Sequence, residues 1–390
     1  MLRVASLNVN GIRAAHRRGF GDWLATRNCD VVALQEVRAP LDKLPHDAFG
    51  DYHAVYEPGQ LAGRNGVAVL TRQRPVAVRT WDADVLVRAP GEEHLHTEPA
   101  PDDIPLARGL GKHAHEGRYV EVDLEEAPIT VASLYLPKGG LPAHLQKPGR
   151  MREEPDGGAR YERKMAFMAA FGRYLSRTRR AALTRGREFL LMGDLNVAHT
   201  ELDVARWRQS RQAEGFLPEE RAWLGAQLSP RTLVDVVRAV HPETEGPYSW
   251  WSWLGQAYAR DAGWRIDYHL ATPRLARTAV AAEVDREHHG IRLSDHSPVV
   301  VDYDLDRRTG IPHEDGRMAT RFMTRWERTT SSRWLSSSHS VTISPRSGLD
   351  RDSRVSSVSV RSLSASPGRT GLVQRTSSTP GEASDPHLVR

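Results

Sequence analysis

Short apolar runs, separated by polar loops and amphipathic stretches, fill the first three-quarters of the chain. Leu2–Leu7 reads as a strand, Phe20–Arg27 as a helix and Val31–Leu34 as a second strand, with further strands at Val67–Leu70 and Val76–Val78. Tyr119–Leu124 and Ile129–Leu136 predict a hairpin through Glu125-Glu126-Ala127-Pro128. A helical pattern from Tyr161 to about Leu183 leads into the strand Phe189–Met192, and later strands are expected at Ile266–Leu270, Val280–Val284 and Pro298–Tyr303. Strands alternating with helices in this way indicate a layered α/β or α+β domain.

Two segments break the rhythm. Asp82–Gly117 is rich in His, Glu, Asp and Pro, Lys138–Ala159 in Gly, Pro and basic residues, and both are expected to be surface loops. The first holds His94, His96, His113 and His115, read as a solvated loop in preference to a metal site. From Asp306 onward the chain turns to Ser, Arg, Thr and Pro with little apolar periodicity. Such a segment buries too little surface to offset its ordering entropy, so the expectation is a catalytic domain over 1–305 and a disordered tail over 306–390.

Composition changes this picture in three places. The sequence pI of about 9.4 suggests a nucleic-acid partner, yet the tail carries 14 Arg against 8 Asp or Glu, which leaves residues 1–305 close to neutral. Any contact with a polyanion must therefore come from local clusters of Arg and Lys. The single cysteine, Cys29, excludes an internal disulfide and reads as a buried thiol. The N-terminus has no secretory pattern, and no apolar run approaches the roughly 20 residues that cross a bilayer. A soluble, cytoplasmic monomer is expected.

Candidate chemistry lies at the ends of the strands. The predicted strands run out into Asn8-Val9-Asn10, Gln35-Glu36, Tyr135, Asp194-Leu195-Asn196, Asp267 and Asp295-His296. Each has an ordinary reading alone: an Asx turn or helix cap for Asp194 and Asn196, a turn for Asn8 and Asn10, a surface carboxylate for Glu36, a salt-bridge partner for Asp267. Together they supply what phosphodiester hydrolysis needs, namely hard oxygen ligands for Mg²⁺ or Mn²⁺, an amide-flanked carboxylate to orient water, and an imidazole backed by a carboxylate.

In order and spacing these segments resemble the endonuclease/exonuclease/phosphatase superfamily, and within it the exonuclease III branch of bacterial abasic-site endonucleases. The resemblance rests on Ser6–Ala14 (SLNVNGIRA), Leu34–Val37 (LQEV), Arg64–Thr71 (RNGVAVLT), Tyr135–Gly139 (YLPKG), Leu191–Val197 (LMGDLNV), Gly215–Trp223 (GFLPEERAW), Tyr248–Trp250 (YSW), Trp264–Tyr268 (WRIDY) and Ser294–Pro298 (SDHSP). It implies a four-layer, deoxyribonuclease I-like sandwich of two packed, mostly antiparallel sheets flanked by helices. It also implies Glu36 as principal metal ligand with Asn10 and Asp295 beside the ion, and Asn8, Asp194, Asn196 and His296 in the same metal-binding group. By the same resemblance Asp194 and Asn196 orient the water, His296 polarises the phosphate with Asp267 behind it, and Tyr135 lies by the leaving group. Asn8 completes the floor of the site and Trp250 lines a pocket for an extruded abasic sugar.

The implied activity is 3′→5′ exonuclease, abasic-site incision and 3′-phosphatase action on duplex DNA carrying abasic sites or 3′ ends, in base excision repair. Lys138 stands where the family often has Gln, Asn or Ser, and the two long loops and the tail are additions to compact members. Two alternatives stay open: a superfamily nuclease or phosphatase acting on RNA or small phosphate esters, and a catalytically silent DNA-binding protein.

Overall fold

The computed structural model describes residues 1–61, 63–100, 104–149 and 153–306. Apart from Asp306, the segment expected to be a disordered tail lies outside the described residues.

Among the described residues fourteen strands form: β1 (Leu2–Asn8), β2 (Val31–Gln35), β3 (His53–Glu57), β4 (Val67–Thr71), β5 (Ala77–Thr80), β6 (Asp84–Arg88), β7 (His96–Pro99), β8 (Tyr119–Asp123), β9 (Ile129–Tyr135), β10 (Glu188–Asp194), β11 (Val234–Asp235), β12 (Asp267–Ala271), β13 (Ala279–Val284) and β14 (Val299–Tyr303). One sheet runs β13-β14-β1-β2-β4-β3-β6-β7 and the other β11-β12-β10-β9-β8-β5. Each is antiparallel except for one central pair, β1 with β2 and β9 with β10. These two parallel pairs set Asn8 beside Gln35 and Tyr135 beside Asp194 at their C-terminal ends.

Successive residues of a strand face opposite sides, so a strand covered on both faces must be apolar throughout. In β1, Leu2 and Val4 face the second sheet, while Ala5 and Leu7 pack with Phe20, Trp23 and Leu24 of the helix Phe20–Arg27. In β10, Leu190 and Met192 join the layer between the sheets, and Phe189 and Leu191 meet Phe167, Phe171 and Tyr174 of the long helix Ala159–Thr184. The result is helix, sheet, sheet, helix, the four-layer arrangement expected from the sequence. No helix among the described residues is long and apolar enough to cross a membrane.

The expected loop at Asp82–Gly117 contains more structure than its composition suggested. β6 and β7 extend the first sheet beyond β3, because Val85 and Val87 pack against the inter-sheet core, Leu86 packs on the opposite face, and the outermost positions tolerate polar side chains. His113 is buried, with Nδ1 2.8 Å from Glu116 Oε1 and its ring edge-on to Phe167. His96 and His115 face Glu98 and Asp82 at the surface, and none of the loop's four histidines joins a metal-sized group among the described residues.

Candidate active site

The C-terminal ends of the parallel pairs meet at one rim of the sandwich, and Asn8 joins them. Its amide donates to Glu36 Oε1 at 3.0 Å and to Asp194 Oδ2 at 2.9 Å, while its own oxygen accepts from the Asn10 backbone N–H at 2.9 Å. The turns that follow the strands are tight: Asn10, Glu36 and Asn196 all have positive φ, at 44°, 52° and 48°. Such backbone is unfavourable for residues with a Cβ by about 1–3 kcal/mol each and is held here by surrounding contacts. Gly193 is required by the close approach of β9, since a Cβ there would lie 2.0 Å from the Leu134 carbonyl oxygen.

Around this bridge stand the other candidates. Asn10 donates to Asp295 Oδ1 at 2.8 Å and accepts from Arg38, which also forms an ion pair with Glu36. The indole N–H of Trp250 reaches Asp295 Oδ2 at 3.3 Å, and its ring lies 6.4 Å from that of His296. Asp194 accepts from the backbone N–H of Asn196 at 2.8 Å and from its amide at 3.2 Å. His296 Nδ1 is 2.9 Å from Asp267 Oδ2, which also accepts from Ser249 Oγ at 2.6 Å. On the other side of the ring, Nε2 lies 3.8 Å from Asp194 Oδ2, beyond hydrogen-bond distance.

The electrostatics follow from burial. Asp194 is 1% exposed; burial, with Asp267 and Glu36 nearby, raises its carboxyl above the ordinary range against the opposing pull of His296. Burial alone would favour neutral His296, but the charges of Asp267 and Asp194 hold its imidazolium to higher pH than usual. Burial would also raise Asp295, yet the charge of His296 and hydrogen bonds from Asn10, Trp250 and Ser294 keep it low. The Tyr135 hydroxyl is pushed well up by burial and then by the charges of Glu36 and Asp194, so it stays a proton-bearing phenol at neutral pH.

Glu36, Asp194, Asp267 and Asp295 set four carboxylates against His296 and Arg38 in a poorly hydrated rim. Asp267 Oδ1 has no hydrogen-bond partner. Hard oxygen donors, surplus negative charge and no thiolate fit a divalent cation such as Mg²⁺. The metal-sized group at this rim, with ligand atoms within 4.8 Å of one another, is Asp194, Asp267 and His296, whereas the resemblance had put the ion at Glu36 with Asn10 and Asp295.

Several residues were not singled out in the sequence. Ser249 caps Asp267. Arg38 links Glu36 to Asn10. Arg118 places its guanidinium 5.3 Å from the Tyr135 ring and donates to the Tyr135 carbonyl at 3.1 Å. Lys164 Nζ donates to the Asn196 carbonyl at 2.8 Å and to Glu220 Oε1 at 2.6 Å, with both side chains 0% exposed. Of the neighbouring tryptophans, Trp251 is core, while Trp253 is half exposed under the guanidinium of Arg292 at 4.3 Å and beside Arg18 at 5.1 Å.

A two-sheet sandwich that gathers carboxylates, amides and a carboxylate-backed imidazole where its parallel strands end defines a class of phosphate-ester hydrolases. Comparison with known proteins agrees: residues 5–296 match the Endonuclease/Exonuclease/phosphatase family, and the chain belongs to that family. It is 28% identical over 302 residues to an exodeoxyribonuclease of Bacillus subtilis, covering 76% of this chain and 98% of that protein. It is 27% identical over 308 residues to a DNA-(apurinic or apyrimidinic site) endonuclease of Dictyostelium discoideum, covering 78% of this chain and 71% of the relative. Among solved structures, an AP endonuclease from Archaeoglobus fulgidus matches with a TM-score of 0.59 at 25% identity, covering 78% of this chain and all of that one.

Proposed function

We propose that this chain is a divalent-metal-dependent DNA phosphodiesterase of base excision repair, a 3′→5′ exonuclease that also incises 5′ to abasic sites and removes 3′-phosphates. In this reading it acts as a cytoplasmic monomer through the catalytic domain 1–305. The observation that carries the reading is the buried Asp267–His296 pair at 2.9 Å with Asp194 facing the other ring nitrogen across 3.8 Å. A phosphoryl oxygen or an attacking water placed beside these two atoms, not between them, lies within hydrogen-bond reach of both an acid and a base.

Asp267, fixed by Ser249, holds His296 Nδ1 so that Nε2 points at the phosphate and donates to its oxygen as charge develops. Asp194, oriented by Asn8 and Asn196, accepts a proton from the attacking water. Tyr135 keeps its proton and donates toward the departing alkoxide. Glu36 and Asp295, with Asn10, Asn8, Asp194 and Asn196 around them, would hold Mg²⁺ or Mn²⁺, which would supply charge compensation at the phosphoryl oxygens and a more acidic water, while protonated His296, expected from the resemblance in the metal-binding group, acts as a donor and not as a ligand. Trp250, tethered to Asp295, offers an aromatic wall to an extruded sugar; extrusion costs a few kcal/mol and least where no base pair must be broken. Arg18 and Arg292, stacked on Trp253 at the edge, supply the local positive charge that a DNA backbone requires.

A panel of substrates tests the proposal: an abasic duplex, an undamaged duplex with a recessed 3′ end, single-stranded RNA and a small phosphate monoester. Preferential cleavage of the two DNA substrates is expected. Turnover confined to RNA or the monoester would overturn the DNA assignment.

A further inference from the structure

Away from the catalytic rim, three ligand-type side chains converge at the surface. Asp22, in the first turn of the helix Phe20–Arg27, presents one carboxylate oxygen to two imidazoles: Oδ2 is 2.6 Å from His288 Nε2 and 3.1 Å from His289 Nε2. The ligand atoms of the three residues lie within 4.8 Å of one another, and the two rings are 4.2 Å apart at their centroids.

Neighbouring side chains in extended backbone point apart, so two consecutive histidines aimed at one atom need a special turn. His288 and Ile291 close it with reciprocal backbone hydrogen bonds of 2.9 Å each, and both central residues, His289 and Gly290, have positive φ, at 51° and 76°. This is the pattern of a type I′ turn, whose first central position favours Asn, Asp or Gly. Histidine is, with Asn and Asp, among the residues that tolerate positive φ, and here the turn brings His289 and His288 together on Asp22.

We propose that Asp22, His288 and His289 form a transition-metal site that takes Zn²⁺, with a water in the fourth position. Two imidazole nitrogens and one carboxylate oxygen are a borderline donor set that suits Zn²⁺ better than Mg²⁺. Ligands about 2.0–2.2 Å from a tetrahedral ion stand roughly 3.3 Å apart; the Asp22–His289 separation of 3.1 Å is near that, and the Asp22–His288 separation of 2.6 Å widens as the ion enters. The site shares no residue with the catalytic rim. A bound ion fastens the helix to the turn that leads into Arg292 and Asp295.

The test is calorimetric titration of the full chain with Zn²⁺ in excess Mg²⁺, so that the hard-oxygen rim is occupied, alongside visible absorption with Co²⁺ as a geometry probe. The wild type should bind one Zn²⁺ with a tetrahedral Co²⁺ band. His289→Asn keeps a residue suited to positive φ and removes a ligand. It should weaken Zn²⁺ by more than the roughly 10–100-fold that loss of an outer-shell partner costs, with DNA incision in Mg²⁺ unchanged. As a second readout, Zn²⁺ should raise the thermal unfolding midpoint of the wild type and not that of His289→Asn. Equal Zn²⁺ uptake by the two proteins, or none by either, overturns the site.

Discussion

The buried Lys164–Glu220 pair offers a sharp test of how this fold supports its rim, and Lys164→Met is the perturbation. The ammonium has two partners, Glu220 Oε1 at 2.6 Å and the Asn196 carbonyl at 2.8 Å, and neither side chain touches solvent. Removing it leaves Glu220 with the Leu217 backbone N–H at 3.0 Å and strips the Asn196 carbonyl of this donor. A buried charge that loses its partner costs about 3–5 kcal/mol. Glu220 can escape by taking up a proton, and from its ordinary value of 4.5 that escape costs about 3 kcal/mol at pH 7 and under 1 kcal/mol at pH 5. Urea denaturation should therefore show a loss of about 3–5 kcal/mol at pH 7, at least halved at pH 5. The double variant Lys164→Met with Glu220→Leu should recover much of the loss, because replacing both partners removes the uncompensated charge. A loss below about 1 kcal/mol at pH 7, or one independent of pH, would refute the reasoning.

Three further outcomes are expected. His296→Ala should lower the single-turnover rate of abasic-site incision by on the order of 10²–10³, about 3 kcal/mol or more; a near-wild-type rate removes the imidazole from the chemistry. Glu57 is 6% exposed and burial pushes its carboxyl up to about 7, from 4.5. The unfolded chain thus gives up this proton at lower pH than the folded one, and stability falls as pH rises from about 4.5 through 7. Glu57→Gln should accordingly stabilise the protein at pH 8 by at most about 3 kcal/mol and leave it little changed at pH 4, read from chemical denaturation; equal effects at both pH values contradict this. Deleting the residues after Leu305 should leave folding and incision intact, and an insoluble or inactive truncation would show that the domain extends further.

Much of the architecture was legible because its central strands are covered on both faces and so read as largely apolar runs, unbroken in Val31–Leu34 and Phe189–Met192. Strands away from the centre of the sheet carry a weaker signal: His53–Glu57, though paired on both sides, mixes polar with apolar positions, and β6 and the edge strand β7 lie in a segment dominated by Pro, His and acids. The candidate rim was legible at strand ends, where Glu36, Asp194, Asp267 and His296 are ordinary singly and point to one chemistry only together. Their supports were not, because each depends on a partner far along the chain: Ser249 under Asp267, Arg38 across Asn10 and Glu36, Lys164 beneath Asn196. Lys164 did leave a trace. It occupies the apolar stripe of its helix, in line with Phe167, Phe171 and Tyr174, and a lysine there calls for a buried acid, which Glu220 supplies.

The most direct test of the central claim is incision of an end-labelled duplex with one synthetic abasic site, by wild type in Mg²⁺, by wild type in EDTA, and by Asp194→Asn in Mg²⁺. A single cut 5′ to the lesion that leaves a 3′-hydroxyl is expected, abolished by EDTA and reduced by orders of magnitude in the variant. Cleavage that persists in EDTA, a cut on the 3′ side, or full activity of Asp194→Asn would contradict it.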